Sequence, residues 1–205
     1  VGLTLENPFP QDIAGTFTLT FQGSNGAEDP NVQFLSSAGG SRSMTFTVPA
    51  GSKTLPNPPS IATGTVAGTI TITTNLTANG TALDPAPPPQ TIVIPPAPPV
   101  ITSVTFSNTN GLTVTVIGYS TTRDMTSGDF VFSAAPGSSL QNSDIPVQLG
   151  PAFTQWYAAS ASNPFGSQFK LTVPFNVTTG SASSVTSVSV SLTNSQGKSA
   201  PVSAQ

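Results

Sequence analysis

The chain has no histidine and no cysteine, and only 13 of its 205 residues are charged: 8 Asp and Glu against 5 Lys and Arg. Each absence removes a class of chemistry. Without cysteine there is no disulfide, zinc–thiolate site or thiol nucleophile. Without histidine, a serine nucleophile would need Lys53, Lys170 or Lys198 as its base. The five cations, Arg42, Lys53, Arg123, Lys170 and Lys198, are scattered singly. A nucleic-acid partner requires clustered positive charge and is not expected. No apolar run approaches the roughly 18–20 residues of a membrane-spanning helix. A signal peptide is also lacking and the first residue is Val, so the chain reads as a processed product or a segment.

What is present is hydroxyl: 30 Thr and 27 Ser, set among 21 Pro and 18 Gly. Charge stands at 6% of residues, far below the roughly 25% usual in soluble domains. Disorder does not account for this, because disordered chains are charge-rich and poor in aromatic and β-branched residues, whereas this one has 12 Phe. Its apolar residues alternate with period two, the mark of strands with one buried face. Phe17, Leu19 and Phe21 interleave with threonines. Met44, Phe46 and Val48 repeat the pattern, as do Ile70 and Ile72 between Thr69, Thr71 and Thr73. Leu112, Val114 and Val116, then Phe130 and Phe132, then Phe169, Leu171 and Val173, then Val188, Val190 and Leu192 continue it. Turn chemistry separates these runs at Gly23–Gly26, Gly39-Gly40, Asn79-Gly80, Pro136-Gly137 and Gln196-Gly197. The fold class predicted is all-β.

Prolines divide the chain. Pro85–Pro89 precedes a short strand at Thr91–Ile94, and Pro95-Pro96-Ala97-Pro98-Pro99 follows it. Proline donates no ladder hydrogen bond and favours polyproline II, a semi-rigid spacer. The expectation is two tandem immunoglobulin-like β-sandwiches, residues 1–95 and 99–205, joined by a Pro-rich linker at 96–98. Each is near the ~100 residues of such a sandwich. Helix is expected only at Ala152–Ala159, where Phe153, Trp156 and Tyr157 share a side at i, i+3 and i+4.

Pro99-Val100-Ile101-Thr102-Ser103-Val104 and Gly111-Leu112-Thr113-Val114-Thr115-Val116-Ile117-Gly118 resemble the opening of bacterial IPT/TIG-type immunoglobulin-like domains. Those begin Pro-x-Ile-x-Ser-Val and continue to a Thr-Val-rich strand ending in Gly. Tyr119–Arg123 departs from the Gly-x-x-Phe that usually follows. The resemblance covers about twenty residues and implies an extracellular tandem-sandwich protein of the kind found in surface stalks and fibril subunits.

Candidate sites are few. The acidic residues fall mostly in turns, where Asp caps backbone, and they form no pair of the kind a glycosidase needs; no catalytic residue and no cofactor is expected. Asn25, Glu28, Asp29 and Asn31 crowd one Gly-containing loop and are a weak candidate for a calcium ion, which takes oxygen ligands from such loops. Asn75, Asn79 and Asn176 head Asn-x-Thr sequons that covalent glycans would use. Val1, Leu3 and Leu5 alternate with Gly2, Thr4 and Glu6. This run serves either as the first strand of its own sandwich or as a strand donated to a neighbouring subunit. Trp156, Tyr157 and Tyr119 are either core aromatics or a sugar-stacking platform. The Thr-x-Thr rows invite comparison with ice-binding faces, but β-propensity alone accounts for threonine there. The sequence thus favours a non-catalytic subunit of an extracellular bacterial filament or surface stalk, with copies of itself as partners. An adhesin or carbohydrate-binding module is the alternative.

Overall fold

The computed structural model describes residues 1–35, 39–109, 111–138, 140, 142–178 and 181–205. Among the described residues the fold is all-β with few helical turns, and the strand pairs are antiparallel. It divides into two compact units, one of Val1–Gly64 with Gly68–Ile94, the other of Thr65–Ala67 with Pro95–Gln205.

The first unit contains β1 (Ile13–Gly23), β2 (Val32–Leu35), β3 (Ser43–Val48), β4 (Ser60–Thr63), β5 (Gly68–Ala78), β6 (Thr81–Ala82) and β7 (Gln90–Ile94). Its main sheet runs β3-β1-β5-β6, with β7 also on β5, and β2 pairs with β4 separately. The alternation in the sequence decides the faces. Ile13, Phe17, Leu19 and Phe21 of β1 and Ile70, Ile72 and Leu76 of β5 turn inward, where they join Val32 and Phe34 of β2. Phe17 stacks on Phe46 at 4.2 Å between centroids, directly under Gly15, whose Cβ would strike that ring. Asn79 and Gly80, both at positive φ (47° and 78°), make the tight turn from β5 to β6 that an Asn-Gly pair favours.

The second unit contains β8 (Val100–Ser107), β9 (Leu112–Tyr119), β10 (Ser127–Ala134), β11 (Asp144–Gln148), α1 (Gly150–Ala158), a 3-10 turn (Ser160–Phe165), β12 (Gln168–Phe175), β13 (Val185–Asn194), β14 (Gly197–Lys198) and β15 (Val202–Ala204). A short 3-10 turn, Ala182–Ser184, leads into β13. One sheet runs β11-β10-β13-β14, with β15 also on β13, and the other runs β12-β9-β8. Val114 and Val116 of one sheet and Phe130, Val188, Val190 and Leu192 of the other are fully buried in a single core. Phe175 packs on Phe130 and Phe132 at 5.1 and 4.9 Å. Burying such rings is worth about 2–3 kcal/mol each.

Local chemistry explains the less regular parts. Pro151 opens α1, where the missing N–H costs nothing because no intrahelical acceptor faces it. The extra residue of a bulge sits at Thr102, whose hydroxyl donates to the Ile117 carbonyl at 3.1 Å. Within the Pro95–Pro99 run, Ala97 donates its N–H to Thr121 Oγ1 at 2.9 Å and accepts from Asn194 Nδ2 at 2.9 Å.

Candidate functional site

An apolar groove of about 420 Å³ lies in the second unit between α1, the 3-10 turn Ser160–Phe165 and β12. Its floor and walls come from Phe153 and Trp156 of α1, Phe165, Ile117 of β9, and five consecutive residues of β12, Gln168 to Thr172. Phe169 and Leu171 face the core, whereas Gln168, Lys170 and Thr172 face outward. The lining draws on both faces of β12 and takes in Ile117, which pairs with Lys170 from β9. Among the described residues β12 pairs only with β9, so its other edge presents main-chain groups without a strand partner.

Two large apolar residues are exposed in this groove, Phe165 at 50% and Ile117 at 43%. Trp156 lies 6.2 Å from Phe165 with the rings tilted by 34°. Its Nε1 is buried and, among the described residues, has no hydrogen-bond partner. Indole N–H groups usually find an acceptor when buried, since leaving one unmade costs about 1–3 kcal/mol.

The neighbouring ring behaves differently. Tyr157 packs on Phe153 at 5.9 Å, and its hydroxyl donates to the Ser167 carbonyl at 2.7 Å. Burial pushes its phenol well above the ordinary value, while the Arg123 charge pulls the other way and loses. Because the folded state holds this proton more tightly, Tyr157 favours folding fully below about pH 10, the ordinary phenol value, and progressively loses that contribution above it. Tyr157→Phe is accordingly expected to cost about 1 kcal/mol at neutral pH, through loss of the hydrogen bond. It should also flatten the fall in stability above about pH 10. Denaturant midpoints of both proteins across that range check this, and parallel curves would refute it.

Arg123 organises the wall behind the groove. It sits at φ 54°, uncommon for a residue with a side chain. Its guanidinium donates to the Gly166 carbonyl, to the Tyr157 carbonyl at 2.9 Å and to Ser162 Oγ at 3.2 Å, and it lies 4.8 Å over the Tyr157 ring. One cation therefore ties the ends of α1 and of the 3-10 turn to the loop after β9. Beside it, Asn194 Nδ2 donates to Ser120 Oγ and Thr122 Oγ1 at 3.0 and 3.1 Å, and Asp124 accepts from Thr122 Oγ1 and the Ser195 N–H. The stretch Tyr119–Arg123, where the IPT/TIG-like pattern breaks off, is thus a packed polar hub.

The other residues singled out by the sequence lie elsewhere. Tyr119 ends the outer face of β9, opposite Val100 and Gln168, and does not line the groove. The three aromatics proposed as a sugar platform are therefore not brought together, and Phe165 is the ring that accompanies Trp156.

In the loop Asn25–Asn31, Asn25 Oδ1 accepts from the Ala27 N–H at 3.1 Å. Glu28 pairs with Arg42 at 3.1 Å, and the buried Asp29 accepts from the N–H and the side chain of Asn31 at 3.0 and 3.1 Å. Arg42 also donates to the Asp29 carbonyl at 2.9 Å. These groups act as turn caps and a staple. Among the described residues no three His, Cys, Asp or Glu gather to hold a metal. Of the other carboxylates, Asp12 accepts from the Ala50 N–H at 2.8 Å and Asp129 pairs with Lys198 at 2.7 Å.

The run Val1–Glu6 lies on the first unit. Leu5 N–H donates to Lys53 O at 2.7 Å, Leu55 N–H donates to Leu3 O at 3.3 Å, and the Val1 amino group donates to Pro59 O at 3.0 Å. Thr4 forms an isolated bridge to Thr54 and belongs to none of the sheets. Asn75 is exposed in the middle of β5 rather than in a loop. Asn79 sits in the following turn and donates to Gln11 Oε1 at 3.0 Å, and Asn176 is exposed just past β12.

Register adds what periodicity could not. Thr16 stands between Thr45 and Asn75, Thr18 between Ser43 and Thr73, and Thr71 between Thr20 and Thr91. Threonine rows from four strands so form one continuous hydroxyl face on the first unit's main sheet. No family model matches the chain, and no curated protein matches it.

Proposed function

We propose that the chain is a non-catalytic structural subunit of an extracellular bacterial filament or surface stalk that assembles through strand edges. In this reading the two units are immunoglobulin-like sandwiches of the IPT/TIG type in tandem, joined at 96–98. The observation that supports it most is the β12 edge, which has no strand partner among the described residues and belongs to a strand that lines an apolar groove. Exposed edges are ordinarily blunted by charge, proline or a covering segment, because they recruit other strands. Here the stretch from Gln168 to Thr172 carries one charge and no proline, and its flank is apolar. The hydroxyl-coated sheet faces fit a low-charge material packed against copies of itself, with glycan at Asn75, Asn79 or Asn176 as added solvation. Intact mass above the 20.7 kDa of the sequence would reveal the glycan. Sedimentation over a concentration series, with electron microscopy of the same samples, tests the assembly. Oligomers or filaments that grow with concentration are expected, and a chain that stays monomeric throughout refutes the proposal.

A second reading, an adhesin or carbohydrate-binding module, is favoured by one observation, the tilted Trp156–Phe165 pair at the groove mouth. Aromatic faces of this kind stack on sugar rings. A glycan array with the chain and Trp156→Ala separates the readings, since only the second expects a sugar signal that the substitution abolishes.

A further inference from the structure

Resting on the reading of the chain as a self-assembling subunit, we infer that the β12 groove is the acceptor slot for an extended strand. Its occupant is the run Val1–Glu6 of a second copy. The β12–β9 ladder runs through Pro174 to Phe175, but Pro174 has no N–H to offer a strand on the free edge, which bounds pairing there. The unblocked stretch from Gln168 to Thr172 is five residues long, roughly 17 Å of extended chain. A strand of that length laid against it takes up the free main-chain groups of β12 on one side. On its other side it faces α1, whose Phe153 and Trp156 line the groove.

The donor matches the slot in pattern and in charge. Val1, Leu3 and Leu5 are half-buried and alternate with exposed Gly2, Thr4 and Glu6, so one face of the run is apolar and suits the Trp156, Phe165 and Leu171 wall. In its own chain the run is held outside the named sheets, so detaching it breaks only the isolated Thr4–Thr54 bridge with its two backbone bonds and a few further hydrogen bonds. Lys170 is the one charged residue lining the groove, and Glu6 is the one charged side chain of the run. Both are exposed, and neither forms an ion pair among the described residues.

The experiment follows sedimentation of the chain together with the emission of Trp156, the sole tryptophan. Association is expected to shift that emission to shorter wavelength as the groove fills. Lys170→Glu and Glu6→Lys should each weaken association about tenfold, and the double exchange should restore it, because like charges would otherwise meet in the slot. Leu3→Asn provides an independent arm at the apolar contact and should weaken association as well. If the chain associates but all of these variants match it and Trp156 emission stays constant, the slot is overturned while self-assembly stands. If the unaltered chain never associates, both are overturned.

Discussion

Replacing Arg123 with alanine is expected to destabilise the second unit by about 3 kcal/mol and to loosen α1 before the sheets unfold. Three hydrogen bonds leave with the guanidinium, those to the Gly166 and Tyr157 carbonyls and to Ser162 Oγ. Bonds to a charged group contribute about 1.5–3 kcal/mol each in isolation, and they do not add fully because one side chain makes all of them. The cation over the Tyr157 ring adds a smaller part. Arg123→Lys keeps the charge but not the planar fork, so it should recover only part of the loss. Trp156 lies in the element that Arg123 clamps and is the only tryptophan, so its emission reports this unit alone. A denaturation curve of Arg123→Ala that superimposes on that of the parent would refute the clamp.

The same residue shows what the sequence could and could not reveal. Arg123 stands in a run of Ser and Thr with no nearby carboxylate except Asp124, and reads as a lone surface cation. Its acceptors are main-chain carbonyls and a serine more than thirty residues away, and carbonyls leave no trace in a sequence.

Strands were legible because alternation is a local property. Phe17, Leu19 and Phe21 of β1 point inward as their spacing predicts, and the Asn79-Gly80 turn declares itself by its residues. Which strand lies beside which is set by contacts across the chain. The threonine rows of β1 and β5 merge into one face through pairs some fifty residues apart, and no periodicity within either strand encodes that.

The aromatic cluster was legible in part. Phe153, Trp156 and Tyr157 do fall in a helix, but adjacent residues on a helix diverge by about 100°. Tyr157 therefore turns toward Phe153 and Ser167, and Trp156 toward Phe165. Phe165 carries no periodic signal in the sequence because it ends a 3-10 turn rather than a strand or an α-helix. The signal available was an aromatic residue directly after Asn163-Pro164, a site where a loop fixes a ring at the surface.

Gly118→Ala is expected to cost about 2–3 kcal/mol, a large effect for a single methyl group. Gly118 closes β9 on the buried face, opposite Ile101, where the β8 register shifts around Thr102. A Cβ there would lie 2.3 Å from the Val100 carbonyl oxygen and 3.2 Å from both the Ile101 Cα and the Phe169 ring. The first obstacle is backbone, which no rotamer change relieves, so β8 would have to move away from β9 at the bulge. That motion would strain the Thr102 hydroxyl bond to the Ile117 carbonyl and reopen the core beneath Phe169. The glycine that ends the IPT/TIG-like motif thus has a physical reason to be glycine, namely close approach of two strands rather than a special φ. Hydrogen exchange separates this effect from loss of Arg123. Gly118→Ala should deprotect the amides of β8 and β9 first, whereas Arg123→Ala should deprotect α1, and equal protection of β8 in Gly118→Ala and the parent would refute the steric argument.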